Sequence, residues 1–458
     1  MSEPHPDLTG SVIRGLGAFY LILCAMNVAW TFRCIRRGDH VRLWNILGFG
    51  RTDAPVAMYW AAYATLLLMT SIVHFTGSGT PDTFIIRMPD WMRVAVDGVL
   101  ADAMKYFTLS IILFAVVIYY RKALIKPTVA WVLLNISLLL MGLSLTDWDF
   151  RQIVGKPDNV PIVSMLFIVG FFTWLYFSRA VDNDERVKQG KPLFEQEENE
   201  KILVWPDLVY TELICMVVLT VVLVAWGIGL QAPLEEPANA AKTPNPSKAP
   251  WYFLGLQEML VYFDPWLAGV VFPSLIIVGL MAIPYIDYNK KGNGYYSFSE
   301  RKFAVITFMF GFLPLWVAMI ILGTFLRGPN WNIFGVYEYW DVHKLEVLTN
   351  VNLSEMFWGR LEMKPPTAPA DAPLWKQIGY ILGRESPGFL AVLAYLFALP
   401  PLLAATMFRK FFHQMGFIRY MVFVNLLLLM AALPIKMALR WSINLKYIIA
   451  IPEWFLNI

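Results

Sequence analysis

The sequence predicts an all-α polytopic membrane protein with about ten transmembrane helices and some further interfacial helices. Of its 458 residues, 58% are hydrophobic and only 16% are charged, which is too apolar for a soluble domain of ordinary composition. Apolar runs of about 18 to 25 residues recur along the chain, and a helix of that length crosses a hydrocarbon core of about 30 Å. The predicted spans are residues 11–31, 55–75, 103–120, 128–147, 160–178, 208–230, 267–286, 303–326, 389–408 and 418–439.

The first span is expected to stay in the mature protein, because no basic segment precedes it and no small-residue cleavage site follows it. The formal net charge of +3 is too small to indicate a nucleic-acid partner. The cysteines, Cys24, Cys34 and Cys215, form no close pair and no Cys-x-x-Cys-His motif. Structural disulfides and covalently attached haem are therefore not expected.

The basic residues predict the orientation of the spans. Lysine and arginine cluster in the loops that follow spans 1, 3, 5, 7 and 9, and the positive-inside rule places these loops on the cytoplasmic side. The other loops are then expected on the opposite, electropositive side, together with both termini. These loops are residues 77–101, 148–159, 231–265 and 327–388.

A hydrophilic linker at residues 182–206 divides the chain. Before it lies an N-terminal extension of five spans, residues 1–181, and after it a second membrane region, residues 207–330. Residues 331–458 are interpreted as a long loop on the electropositive side, two further spans and an interfacial C-terminal helix. Loop 77–101 interleaves apolar and charged groups, as in a short helix at the membrane surface.

The most informative stretch is residues 235–263, a Pro-rich polar loop that runs into a helix beginning with Trp-Tyr-Phe. Together with its flanks it resembles the quinol-oxidation loop of the cytochrome b superfamily, in the C-terminal half that forms subunit IV of a split cytochrome b. The resemblance covers about eighty residues and implies that residues 207–330 are a quinol-site domain. It is carried, in order, by Trp205, Pro206, Asp207, Leu208, Tyr210, Glu236-Pro237-Ala238-Asn239, Trp251, Tyr252, Gly269-Val270, Pro284 and Asp287.

The histidines argue against haem in this chain. In the cytochrome b family, two N-terminal helices each supply two spaced histidines to two haems, but none of the five histidines here forms such a pair. The resemblance therefore implies that the haem-binding half is another polypeptide. His74, at the end of span 2, is interpreted as a hydrogen-bonded interfacial residue, with a metal or quinone role as the alternative. No metal ligands are expected.

Quinol oxidation needs a proton acceptor, because a buried hydroxyl cannot develop charge unassisted in a low dielectric. The family usually supplies it as the glutamate of Pro-Glu-Trp-Tyr, but here Pro250 stands before Trp251. Glu258 is the expected replacement, since seven residues of helix return it to the face of Trp251. The side chain of Tyr252 is expected to line the site and to contribute a hydrogen bond. The alternative is that Glu258 is held by a cation of a partner subunit and Tyr252 is an interfacial aromatic.

The resemblance thus implies catalytic roles for Glu258 and Tyr252. The implied quinone-binding residues are Pro250, Trp251, Tyr252, Phe253, Leu256 and Glu258. The quinone is expected to be menaquinone, by similarity to relatives that lack the motif glutamate. Loops 77–101 and 328–388 are expected to cover or dock an electron-transfer partner.

The expected function is that of a membrane subunit in a quinol-oxidising cytochrome bc-type complex, a quinol:cytochrome c oxidoreductase, in a bacterial inner membrane. This chain is expected to hold no redox centre itself. The implied partners are the haem-binding half of cytochrome b, a Rieske-type iron–sulfur protein, a c-type cytochrome subunit and lipid, in a dimeric assembly. Two alternatives remain: a catalytically silent subunit that anchors a multihaem respiratory complex, and a secondary transporter, for which no paired inverted halves are visible.

Overall fold

Ten apolar helices make up most of the chain. The computed structural model describes residues 8–43, 52–79, 86–198, 200–230, 234, 237–289, 295–346, 349–369, 371–451 and 454–457. The ten described helices are long and apolar enough to cross a membrane, which confirms the predicted fold class. Spans 1 to 10 are Gly10–Arg37, Val56–Gly79, Ala103–Leu124, Pro127–Ser144, Val160–Lys188, Val204–Gly229, Leu267–Ile286, Lys302–Leu326, Leu374–Ala405 and Arg409–Ile443.

Short helices and two hairpins connect the spans. The short helix predicted within loop 77–101 is present. The short helices are Asp90–Leu100, Trp148–Val154, Phe194–Glu197, Trp251–Met259 and Leu353–Arg360. The strands pair antiparallel, His40–Leu43 with Thr52–Pro55 and Ile448–Ile451 with Trp454–Asn457.

Polar side chains define where several spans begin and end. Span 1 begins after Thr9, whose hydroxyl accepts a hydrogen bond from the backbone N–H of Val12. Asp102 caps span 3 by accepting from the N–H groups of Met104 and Lys105 at 2.9 and 3.1 Å. Such caps satisfy backbone donors that the first helical turn leaves unpaired. These capping residues therefore fix the first turns of spans 1 and 3.

The expected interfacial helix at the C-terminus is wrong, because the chain forms a hairpin there instead. Span 10 ends at Ile443, where Asn444 adopts the left-handed conformation with φ 55°, a common helix stop. The strand Ile448–Ile451 is rich in β-branched residues, which favour extended structure. The hairpin is tied to the loop before span 7, since the N–H of Asp264 donates to the carbonyl of Asn457 at 2.7 Å.

Span 9 also differs from its prediction, because it begins at Leu374 rather than at residue 389. Its first turns carry polar residues such as Lys376 and Gln377, which lower the mean hydropathy without interrupting the helix. Span 10 likewise begins early, at Arg409, and is interrupted at Gly416, where φ is 73°. Hydropathy thus marked only the apolar part of each helix.

The loops gather at two ends of the molecule. At one end, the backbone N–H of Tyr337 donates to Asp97 at 3.2 Å, and its hydroxyl lies 2.7 Å from that of Ser144. At the other end, the side chain of Asn183 donates to the carbonyl of Tyr296 at 2.9 Å. The second end carries the Lys- and Arg-rich loops and is here called the basic end; the first is called the opposite end.

The N-terminal extension is packed into the rest of the chain. Spans 1, 2 and 4 form their own apolar cluster around Ile13, Tyr20 and Leu67. Span 3 instead packs through Tyr106 against span 8, and the hydroxyl of Tyr106 donates to the carbonyl of Ala318 at 2.7 Å. Spans 3, 5 and 8 therefore join the two parts of the chain through shared apolar clusters.

Candidate functional site

The helix Trp251–Met259, here called the site helix, has one buried and one exposed face. Leu254, Gly255, Glu258 and Met259 are buried. Their spacing of one, three and four residues places them on one side of a helix. The site helix follows Pro250, a residue whose fixed φ suits the entry to a helix. It packs between span 8 and the start of span 7, with Met259 in the same apolar cluster as Phe107 of span 3.

Glu258 is fully buried and is held by an arginine of the same chain. Arg327 follows span 8 directly and is only 7% exposed. Its Nε and Nη2 donate to the two carboxylate oxygens of Glu258 at 3.0 and 2.5 Å, and its Nη1 donates to the carbonyl of Trp331 at 2.6 Å. This is the two-pronged geometry of strong charge-assisted hydrogen bonds.

Two tyrosines lie close to this ion pair. Tyr262, one turn after Glu258, is 2% exposed, and its hydroxyl has no hydrogen-bond partner among the described residues. Burial raises the pKa of Tyr262, and the charge of Glu258 raises it further. Tyr106 of span 3 is also buried, and its neighbour Phe107 packs in the same apolar cluster as Tyr262. The N-terminal extension thus contributes to the surroundings of the buried carboxylate.

A further basic side chain, Lys248, lies beside the last turns of span 8. Its Nζ donates to the carbonyl of Thr324 at 2.8 Å and lies 4.8 Å from the ring centroid of Trp340. Burial, with a smaller contribution from the nearby charge of Lys156, lowers the pKa of Lys248 to about 7. The group is therefore close to losing its charge at neutral pH.

The structure brings together only part of the site predicted from the sequence. Trp251, Tyr252 and Phe253 are 36, 49 and 52% exposed, and their rings pack in sequence with centroids 5.6 and 4.7 Å apart. Pro250 is exposed beside them and Leu256 is half-buried. These three consecutive and partly exposed aromatic residues, here called the aromatic face, surround the first turn of the site helix.

Glu258 points away from Tyr252 of the aromatic face. Six residues of helix separate it from Tyr252, so the two side chains point in directions roughly 120° apart. Glu258 does return to the side of Trp251, as the spacing predicts, but it points into the protein. The cation that holds it belongs to this chain and not to a partner subunit, as the alternative interpretation supposed.

Sequence reasoning missed Arg327, Tyr262, Tyr106 and Lys248. One signal was available: Arg327 stands directly after an apolar span, on the side where the positive-inside rule predicts few basic residues. A basic residue at such a position usually pairs with a buried carboxylate. Glu236, part of the motif series, lies outside the described residues.

His74 lies apart from this cluster, in the N-terminal extension. It is 2% exposed, and its Nδ1 lies 2.7 Å from the carbonyl of Thr70, one turn earlier in span 2. Its ring packs 5.1 Å from that of Tyr20. The residue is hydrogen-bonded, as interpreted, although it is buried rather than interfacial. Among the described residues, no group of histidine, cysteine and acidic side chains could hold a metal ion.

The fold and the site together define a polytopic all-α membrane protein with an aromatic helix lying over a buried ion pair. Residues 237–334 match the family described as cytochrome b (C-terminal)/b6/petD. This match contains the site helix, Glu258 and Arg327, and it supports the resemblance to the C-terminal half of the cytochrome b superfamily. The remaining residues, including spans 1 to 5, lie outside it, and no solved structure matches the chain.

The match over these residues supports a membrane subunit of a bc- or b6f-type oxidoreductase complex. Such complexes contain further redox subunits and interact with quinone. The domain of known type occupies the middle of the chain, between the N-terminal extension and spans 9 and 10.

Proposed function

We propose that this chain forms part of the quinol-oxidation site of a cytochrome bc-type complex and couples electron transfer to proton release. The observation that carries the proposal is the location of the site helix. It lies within the residues that match the cytochrome b C-terminal family, and it presents three aromatic rings outward over a buried carboxylate. It lies at the end of the molecule opposite the basic loops, where protons are released in this family.

The aromatic face supplies one wall of the quinol pocket. Flat apolar rings suit a quinone head group, and the hydroxyl of Tyr252 can hydrogen-bond to its oxygen. Pro250 and Leu256 border the same surface. Because the face is exposed in this chain, a partner polypeptide closes the pocket from the other side. We assign that role to the haem-binding half of cytochrome b, with a Rieske-type iron–sulfur protein and a c-type cytochrome completing a dimeric complex.

Glu258 accepts a proton from the bound quinol in this proposal. Quinol oxidation releases two electrons, which redox centres of the partner subunits would accept, and two protons, of which Glu258 would take one and a group of a partner subunit the other. Each carboxylate oxygen of Glu258 accepts one hydrogen bond from Arg327 and keeps a further lone pair at which a proton can bind. Menaquinol remains the proposed reductant.

Arg327 sets a condition on this step. A proton on Glu258 neutralises the charge that compensates the buried guanidinium, and an uncompensated buried charge is strongly unfavourable. Proton uptake is therefore coupled to a change in the partners of Arg327, whose Nη1 already contacts the carbonyl of Trp331. Such a change would expose Glu258 towards the pocket and then return it after proton release.

The proposal is tested on the complex purified through a tag on the full chain, by measuring quinol oxidation. Tyr252→Leu is expected to slow turnover, because it removes part of the aromatic face without touching the core. Tyr285→Leu is the matched control, since Tyr285 is 76% exposed and lies at the other end of span 7. Equal effects of the two substitutions, or the absence of a copurifying bis-histidine haem polypeptide, would contradict the proposal.

One observation favours a second function, that of a silent anchoring subunit. Glu258 is fully engaged by Arg327 and points away from Tyr252, as expected of a purely structural ion pair. In that case the chain would hold redox partners in place without taking part in proton transfer. The two functions differ in whether the charge of Glu258 is needed once the fold is secure.

A further inference from the structure

A cavity lies at the basic end of the molecule, between spans 9 and 10. Its volume is about 360 Å³, within the range of small-molecule sites. Pro401, Ala404 and Ala405 line it from span 9, and Phe412, Phe417 and Met421 line it from span 10. The cavity lies outside residues 237–334 and is independent of the quinol site proposed above.

The cavity has a rigid apolar floor. Tyr420 is fully buried there, and its hydroxyl donates to the carbonyl of Pro400 at 2.9 Å, so it offers no free polar group. Phe417, at the entrance, is 66% exposed. The lining residues stand on both sides of the break at Gly416. The cavity therefore offers a stable apolar cleft open at the protein surface.

Two basic side chains stand at the rim of this cleft. Arg409 and His413 are one helical turn apart on span 10, both exposed and both lining the cavity. Among the described residues, neither makes an ion pair, and no acidic side chain lines the cleft. Phe303, at the start of span 8, packs against Phe411, which places the cleft at the basic end.

We propose that this cleft binds an anionic phospholipid of the leaflet at the basic end. The acyl chain occupies the apolar cleft, and the phosphate is bound by Arg409 with His413 beside it. Guanidinium binds phosphate oxygens through two parallel hydrogen bonds, and basic pockets between membrane helices are typical sites for anionic head groups. An apolar cleft with a rim of one charge sign fits an amphiphile of the opposite sign.

The test is a lipid titration of the purified complex, followed by native mass spectrometry. Dioleoyl-phosphatidylglycerol is compared with dioleoyl-phosphatidylcholine, and the anionic lipid is expected to bind more tightly. Arg409→Gln is expected to weaken phosphatidylglycerol binding about tenfold, because a charge-assisted hydrogen bond is lost. Lys410→Gln, the matched control, removes the same charge from the next residue, which does not line the cleft, and should leave binding unchanged.

A second variant tests the cleft rather than its charge. Ala405→Phe fills the apolar part and is expected to weaken the binding of both lipids, while the rim charges remain. Equal affinity for the two lipids in the unmodified complex would overturn the proposal, as would equal losses in Arg409→Gln and Lys410→Gln. Loss of extractable quinone instead of phospholipid from Ala405→Phe would also overturn it.

Discussion

The ion pair between Glu258 and Arg327 allows the structural and chemical roles of the carboxylate to be separated. Glu258→Gln alone leaves a buried guanidinium without its counter-charge. The double variant Glu258→Gln with Arg327→Met removes both charges and retains similar volumes. If Glu258 is the proton acceptor, only the double variant assembles normally, and it still fails to oxidise quinol.

The expected magnitudes follow from burial and geometry. The carboxylate is fully buried, the arginine is 7% exposed, and each carboxylate oxygen accepts one hydrogen bond from it, at 3.0 and 2.5 Å. Removing one member of such a pair costs about 3–5 kcal/mol, whereas replacing both by groups of similar size is often close to neutral. Losing a general base slows turnover by about 10²–10⁴-fold.

The assay combines the yield and melting temperature of the purified complex with its rate of quinol oxidation and its proton release. Glu185→Gln is the control for charge removal, because Glu185 forms exposed pairs with Lys122 and Lys188, and exposed ion pairs contribute little to stability. A double variant that oxidises quinol at the wild-type rate with full proton release would refute the proposed role. A single Glu258→Gln variant as stable as wild type would refute the energetic reasoning.

Three further predictions concern the opposite end. A Cβ on Gly335 would clash with the carboxyl group of Asp97, so Gly335→Ala should lower the stability by about 1–3 kcal/mol. Gly359→Ala is the control, because Gly359 has open space around it, and it should not change the melting temperature. Burial raises the pKa of Asp97 to about 6. The melting temperature of the wild type, measured relative to that of Asp97→Asn, should therefore fall as the pH rises from about 4 to 6. A rise over the same pH interval would contradict this. Tyr106→Phe should lower the free energy of unfolding, measured with denaturant, by about 1 kcal/mol, because the hydrogen bond from Tyr106 to span 8 is lost. An unchanged free energy of unfolding would show that this hydrogen bond does not stabilise the fold.

The spans could be predicted from the sequence because hydrocarbon imposes a strong and local requirement on composition. Every apolar run of sufficient length became a helix. Helix ends were less predictable: the helix of span 9 continues through Lys376 and Gln377, since backbone hydrogen bonds persist after hydropathy falls. The C-terminal hairpin was missed because interfacial patterning and β-propensity compete over only a few residues, as at Ile448 and Ile449.

Only those features of the site that depend on residues close together in the sequence could be predicted. The site helix and the burial side of Glu258 relative to Trp251 follow from local spacing. Its partner Arg327 lies 69 residues away, and nothing local connects the two positions. Tyr106 belongs to a part of the chain for which the family resemblance offers no template. Contacts of this kind are decided by the packing of whole helices.

The two halves of the chain are held together by packing between their spans as well as by the linker. Tyr106 and Phe107 of span 3, together with Phe177 of span 5, already lie in the same clusters as the later spans. Scission of a peptide bond near Glu198 would therefore leave two fragments that copurify. A single gene encoding both halves then serves chiefly to deliver them in equal numbers.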